Sequence, residues 1–122
     1  MEHPQAEVSL DQQSTVKKAL AVLEKYQGRN YLISYNVASL LKRVGQRREA
    51  ERRFAELAKR GKNIRSRSRY VAGSFFHLGE ISLLLNRPDR ARGFFCRCLQ
   101  IMPNHKKAKE YLDMGLMKRG KA

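Results

Sequence analysis

Two cysteines and three histidines are the residues of this 122-residue chain whose types suit metal binding. Cys96 and Cys98 lie two positions apart, whereas zinc sites commonly use a Cys-x2–4-Cys spacing with a second pair of ligands. On a helix, positions i and i+2 point in different directions. The histidines are scattered along the chain, at His3, His77 and His105. We therefore expect no metal site and no cofactor, and we interpret the cysteines as structural residues.

Groupings typical of catalysis are missing from the sequence pattern. It contains no Ser/His/Asp order, no glycine-rich phosphate-binding loop and no pair of carboxylates spaced for acid–base chemistry. Glu80 is the only acidic residue between positions 57 and 88, and a lone carboxylate is not a mechanism. The sequence therefore predicts a protein that is not an enzyme.

Basic side chains are the abundant polar feature, with 26 Lys+Arg against 11 Asp+Glu and a net charge of +15. Residues 42–69 hold twelve of the bases and only three acids. The excess therefore belongs to a folded surface rather than to a basic tail. We define the basic patch as seven arginines of this region: Arg47, Arg48, Arg52, Arg53, Arg65, Arg67 and Arg69.

Several roles stay open for the basic patch. Arginine binds phosphate and carboxylate equally well, so the partner could be RNA or DNA, an acidic protein, or an anionic membrane surface. The patch could also remain solvated and keep the chain in solution. No aromatic residues alternate with the bases as they do in single-strand binders. Glu49 and Arg53 are spaced i, i+4, so part of the charge should pair locally, at about 0.3–0.5 kcal/mol a pair.

The length and composition predict one globular domain with a modest core, since 42% of the residues are hydrophobic. No apolar run approaches the roughly 18–20 residues that cross a bilayer, and the first ten residues lack the pattern of a secretory signal. Two closely spaced cysteines form no disulfide framework. We therefore expect a cytoplasmic protein without a transmembrane segment.

Apolar residues recur with helical spacing along almost the whole chain, and no stretch alternates with the period of a strand. The breaks fall at glycines and at Asn86-Arg87-Pro88 and Pro103-Asn104. The chain is therefore predicted to be all-α. The six predicted helices cover residues 14–27, 31–44, 47–60, 75–85, 88–101 and 105–117.

Three of these helices are related by fixed spacings. Ala50, Phe54 and Leu57 lie 41 positions before Ala91, Phe95 and Cys98, and 34 positions after Val16, Leu20 and Leu23. The period is therefore 34 residues, with a seven-residue insertion between Ala58 and Ala72. Seven residues make about two helical turns, which lengthen a helix without rotating its apolar face. We expect the extra turns to begin the fourth helix near Ile64 or Arg65, with Asn63 or Ser66 as its cap.

A 34-residue helix–turn–helix period resembles the tetratricopeptide repeat (TPR) family. Residues 72–105 carry its signature at Phe75, Leu78, Gly79, Ala91, Phe95, Cys98 and Pro103. The resemblance implies a right-handed α–α superhelix, a helical-repeat solenoid of about six antiparallel helices in a single domain, 1–122. It would comprise a partial repeat 10–28, a repeat 31–64, a repeat 72–105 and a C-terminal capping helix 105–118. The small residues Ala38, Ala50, Gly79 and Ala91 would lie where paired helices cross.

In this family the first helix of each repeat lines a concave groove that binds a peptide or a helix. The resemblance therefore implies a partner-binding groove at Tyr35, Asn36, Ser39, Arg43, Phe76, His77, Glu80 and Leu83. Phe76 and Leu83 would be exposed apolar residues unless a partner, the N-terminal segment or the lengthened fourth helix covers them. Asn36 matches one position of a clamp that binds chaperone carboxylates, but the other clamp positions have no counterpart, so we do not expect that activity.

The sequence thus predicts a non-catalytic protein–protein interaction scaffold, or adaptor, whose basic patch speeds association with an acidic protein or peptide. One alternative is nucleic-acid binding through residues 47–69. Another is an appendage of a larger enzyme, such as a bacterial glycosyltransferase. Arrays of this family usually contain three repeats, so a homo-oligomer or a longer parent chain would supply the missing neighbours.

Overall fold

The computed structural model describes residues 10–25 and 30–116, and the described residues are helical without strands. The predictions of an all-α chain and of six helices are confirmed. The helices are α1 Leu10–Glu24, α2 Tyr31–Arg43, α3 Arg47–Arg60, α4 Ser68–Leu84, α5 Pro88–Ile101 and α6 Lys106–Tyr111. A 3₁₀ turn, Arg65–Arg67, precedes α4, and a π-helical segment, Leu112–Leu116, follows α6. His3, residues 26–28 of the partial repeat and residues 117–118 of the capping helix lie outside the described residues.

The chain divides into two compact units, Met1–Arg53 and Phe54–Ala122. In the first unit α1 packs on α2, and α2 begins behind Asn30, whose side chain accepts a hydrogen bond from the amide of Ile33 at 3.1 Å. An asparagine in this position satisfies one of the unpaired amides of a helix start. Val37, Ala38 and Leu41 form the buried face of α2, as their helical spacing predicts.

In the second unit α4 and α5 form the principal helix pair. Its core cluster consists of Ala72, Phe76, Ala91, Phe95, Cys98 and Ala108. A methyl group on Gly79 would lie 2.5 Å from Cε1 of Phe95, so α4 and α5 approach closely at this point and a larger residue would force the ring to shift. This confirms the prediction that Gly79 lies at a helix crossing.

The turns that end α2 and α4 have the same backbone conformation. Gly45 has a φ of 86° and Asn86 a φ of 61°, a region that glycine and asparagine tolerate best. In both turns the next amide donates to the carbonyl five residues earlier, at 2.9 Å after Gly45 and 2.7 Å after Asn86. This pattern is the Schellman motif, which satisfies carbonyls at a helix end. Two positions that are 41 residues apart thus have the same local structure, as the sequence alignment predicts.

The seven-residue insertion forms a turn after α3 and a 3₁₀ turn before α4. The helix α3 ends at Arg60, beside Gly61, and helical structure resumes at Arg65, as predicted. The predicted caps are wrong, because the cap positions of the 3₁₀ turn and of α4 are Ile64 and Arg67, neither of which makes a side-chain cap. Asn63 instead has a φ of 65° and makes the left-handed step of the turn.

The helix α6 is shorter than the predicted span of 105–117. It begins behind His105, whose Nδ1 accepts a hydrogen bond from the amide of Ala108 at 3.2 Å. The α-helix ends at Tyr111, and Met114, with a ψ of −125°, interrupts the helical backbone that follows. Gly115 in this segment has a low helix propensity, which favours the early end.

Candidate functional site

The eight predicted groove residues fall in both units. In the first unit Tyr35, Asn36, Ser39 and Arg43 all lie on α2. Asn36 and Arg43 are exposed, and Tyr35 and Ser39 are half-buried. In the second unit the other four, Phe76, His77, Glu80 and Leu83, lie on α4.

Phe76 is not on an open surface, because its side chain is only 8% exposed. Its ring lies 4.8 Å from that of His105 and 6.0 Å from that of Tyr111, centroid to centroid. Leu83 packs against the same cluster. The sequence left open what covers these apolar residues, and the answer in this unit is α6 with the turn before it. Phe76 therefore contributes to the core rather than to an open groove.

Two polar residues of the predicted groove also have partners within the second unit. The ring of His77 stacks on Phe54 with centroids 4.7 Å apart, and its Nδ1 lies 4.0 Å from Oε1 of Glu80. Glu80 accepts a hydrogen bond of 2.9 Å from the hydroxyl of Tyr111. Burial and this carboxylate raise the pKa of Tyr111 to about 12. The contacts hold α6 on α4 and occupy polar groups that a groove would present to a partner.

Tyr111→Phe is expected to lower the free energy of unfolding by about 1 kcal/mol, since it removes a hydrogen bond to a partly exposed carboxylate and keeps the ring. The pKa of Tyr111 is raised from 10 in the unfolded chain. The stabilisation is therefore fully present below pH 10 and disappears as the pH rises from 10 towards 12. Urea unfolding of both proteins at pH 8 and pH 11.5 measures this. If the free energies of unfolding of the two proteins differed by the same amount at both pH values, the hydrogen bond from Tyr111 to Glu80 would not be the source of the stabilisation.

The arginines of the basic patch in the first unit are partly engaged by acidic residues. Nε of Arg53 lies 2.8 Å from Oε2 of Glu49, which confirms the predicted i, i+4 pair, and its Nη2 lies 3.2 Å from Oε2 of Glu24. Arg52 bonds the same Glu49 carboxylate. Hydrogen bonds from the two guanidinium groups lower the pKa of Glu49 to about 2. Arg48 remains exposed and Arg47 is half-buried.

The arginines in the second unit lie on the inserted segment. Arg65 and Arg67 belong to the 3₁₀ turn, and Arg69 follows in the first turn of α4. Arg65 and Arg69 are exposed, whereas Arg67 is half-buried. Of the three, Arg65 lines a cleft that the sequence did not predict.

A cleft of about 810 Å³ opens in the second unit between the end of α3, the inserted segment, α4 and α5. Half of its lining residues come from the insertion and its immediate flanks, between Ala58 and Ala72. Six of its apolar lining residues are buried or half-buried and form the floor. The floor consists of Ala58, Val71, Phe75, Leu78, Phe94 and Ile101.

The rim of the cleft is cationic. Four exposed bases line it: Lys59, Lys62, Arg65 and Arg97. None of the lining residues, all of which belong to the described part of the chain, is acidic. Ile64 joins the rim as an exposed apolar side chain, 40% accessible. The site thus combines an apolar surface with an uncompensated positive field.

Sequence reasoning missed this cleft although it identified several of its parts. Phe75 and Phe94 fall on apolar stripes with helical spacing, a pattern that is typical of core residues. They are in fact half-buried and stack on each other with centroids 6.3 Å apart. The signal that could have located the site is the insertion itself, because extra residues between paired helices must build a surface that a regular repeat lacks.

Comparison with known proteins identifies no relative of this chain. No protein-family model matches it, no curated protein matches it, and no solved structure matches it. The resemblance to tetratricopeptide repeats therefore rests on the signature positions alone.

Within 10–25 and 30–116, no three His, Cys, Asp or Glu side chains are grouped so that they could hold a metal ion. Cys96 is exposed and Cys98 is buried, so the two thiols point apart, as predicted. Burial raises the pKa of Cys98 to about 11, which keeps this thiol protonated. None of the described helices combines the length and the hydrophobicity of a membrane span.

Proposed function

We propose that this chain is a non-catalytic protein-interaction module that binds an acidic protein segment in the cleft. The observation that carries the proposal is the composition of the cleft: an apolar floor, four basic residues on the rim and no acidic lining residue. Its volume of about 810 Å³ falls within the range of about 300–1,000 Å³ that is typical of ligand sites.

The two parts of the cleft would contribute differently to binding. Burial of apolar partner side chains on Phe75, Phe94 and Ile64 supplies about 25 cal/mol per Å² of apolar area removed from water. The rim bases attract an acidic segment, raise its association rate and disfavour basic partners. The interaction function predicted from the sequence is therefore kept, while the proposed binding surface moves from the predicted groove to the cleft.

A helical-repeat fold is part of the same proposal. Its support is local: the Schellman turns at Gly45 and Asn86 are 41 residues apart, and the aligned residues Phe54 and Phe95 are both fully buried. In such an architecture, residues inserted between repeats are available for binding because they do not contribute to the repeated core.

Ile64→Asp is expected to weaken binding of an acidic probe about tenfold or more, because it removes an apolar contact and adds a repelling charge to the rim. The probe is a fluorescent 14-residue amphipathic peptide built from Leu, Ala and Glu, followed by fluorescence anisotropy at 0.15 M salt. Val22→Asp is the matched control, since Val22 is a 56% exposed apolar residue of α1 that does not line the cleft.

Equal loss of binding in the two variants would contradict the proposed surface, as would no measurable binding to the unmodified chain. The nucleic-acid alternative has its own signature, which is a steep decrease of affinity with salt for RNA or DNA oligonucleotides. Oligonucleotide binding that Arg65→Ala and Arg69→Ala weaken, together with no peptide binding, would replace the proposal with that alternative.

A further inference from the structure

The side chain of Arg97 lies against the aromatic floor of the cleft. Its Cζ is 5.4 Å from the ring centroid of Phe75, and Phe75 in turn stacks on Phe94, with 24° between the ring planes. Arg90 lies over Phe94 at 5.9 Å. The helices α4 and α5 thus hold two guanidinium groups and two rings in a row, in the order Arg97, Phe75, Phe94 and Arg90. The first three line the cleft, and Arg90 does not.

A guanidinium on an aromatic face is well suited to bind a carboxylate. The ring restricts the rotation of the side chain and removes water from one face, while the N–H groups at the edge stay available to donate. Arg97 has therefore already lost part of the conformational entropy that an unrestrained arginine side chain loses when it binds a carboxylate. Lys59 and Lys62 are flexible, strongly hydrated charges and have no such orientation.

Arg97 also differs from Arg92 in its ionic contacts. Within the described residues no acidic side chain pairs with it, whereas Arg92, on the same helix, bonds Oδ1 of Asp89 at 2.8 Å. Arg97 is exposed and its guanidinium stands beside the apolar floor. An acid that binds Arg97 would thus place its neighbouring side chain at the floor.

We infer that Arg97 is the residue that selects the partner, and that it binds a Glu or Asp carboxylate adjacent to a bulky apolar side chain that enters the cleft. This inference rests on the proposed function and adds the chemistry of the recognised segment. The remaining rim bases supply attraction at longer range, and Arg97 supplies the directed pair of hydrogen bonds.

Three peptides that differ in one residue type test this inference. Each peptide has the length of the earlier probe, 14 residues, and a central Phe–Leu pair. The residues that flank this pair are Glu in the first peptide, Gln in the second and Lys in the third. The unmodified chain should bind the Glu peptide about tenfold more tightly than the Gln peptide, as expected for a charge-assisted hydrogen bond at a partly exposed site. Arg97→Glu should remove this preference, while the remaining three rim bases still disfavour the Lys peptide.

Arg90→Glu is the matched control. It makes the same change of charge on the same helix, at an arginine that also stacks on a phenylalanine, yet outside the cleft lining. It should change the affinity for the Glu peptide less than about threefold through the general field. Arg97→Lys should lower that affinity about fivefold, because it keeps the charge and loses the planar fork.

The outcomes separate this inference from the proposed function. Similar effects of Arg97→Glu and Arg90→Glu on the affinity for the Glu peptide would overturn the role of Arg97 and leave the cleft as the binding surface. Equal binding of the Glu and Gln peptides would overturn both the role of Arg97 and the preference for an acidic segment. If Arg97→Lys bound the Glu peptide as tightly as the unmodified chain does, the directed pair of hydrogen bonds from the Arg97 guanidinium would be overturned. If none of the three peptides binds the unmodified chain, the proposed function fails as well.

Discussion

Phe95→Ala is expected to lower the free energy of unfolding by about 3–5 kcal/mol, the largest effect we expect from a single substitution in the second unit. The side chain of Phe95 has no exposed surface. Its ring stacks on Tyr111 with centroids 4.7 Å apart and packs on Phe76 at 5.7 Å. Removal of the ring would leave a cavity where α4, α5 and α6 meet, so the lost burial and the cavity both destabilise.

Phe94→Ala, one position earlier on the same helix, is the control for this effect. Phe94 is half-buried and lies on the open floor of the cleft, so its loss creates no enclosed cavity and should cost about 1–2 kcal/mol. Urea unfolding followed by circular dichroism compares both variants with the unmodified chain. Equal midpoints for Phe95→Ala and Phe94→Ala would show that Phe95 is not the centre of this core.

Gly79→Ala and Gly93→Ala are expected to change stability in opposite directions. A Cβ on Gly79 would lie within 2.8 Å of three atoms of the Phe95 ring, whereas a Cβ on Gly93 would meet nothing within 4 Å. Both glycines are inside helices, so alanine gains about 1 kcal/mol of helix propensity at either site. Overpacking offsets that gain at Gly79, where we expect a net loss of about 1–2 kcal/mol. Gly93→Ala should raise the free energy of unfolding by about 1 kcal/mol.

A third substitution identifies the cause of the effect at Gly79. The ring of Phe95 is fully buried and cannot move towards solvent, so the strain should disappear when the ring itself is reduced. Phe95→Leu should therefore destabilise less in the Gly79→Ala background than in the unmodified chain, with an interaction free energy of about 1 kcal/mol. Additive effects would contradict the steric explanation. The denaturation midpoints of the four proteins of this cycle provide the measurement.

Local patterns in the sequence were sufficient to predict most of the helices. The starts at Tyr31, Arg47 and Pro88 follow from helical spacing and from residues that favour helix starts and turns. These features depend on residues within about two turns of one another, so a single sequence contains the information.

Features that depend on contacts between distant residues were not predictable in this way. Nothing in the local sequence indicates that Tyr111 bonds Glu80, 31 positions earlier, and this contact helps α6 to cover Phe76. The end of α6 at Tyr111 was also missed, because helical spacing of apolar residues continues beyond it.

The cleft illustrates most clearly the difference between what the sequence determines and what the tertiary structure decides. By itself, the sequence determined that the chain is helical, that its positive charge is concentrated in 42–69 and that an insertion follows Ala58. Only the tertiary structure decided that this insertion faces the paired rings of Phe75 and Phe94, and that Arg97 joins its bases at one rim. The physical reason is that helical periodicity specifies which face of a helix is apolar. What that face meets depends on the packing of three segments, α3 with the insertion, α4 and α5, that come together only in the folded unit.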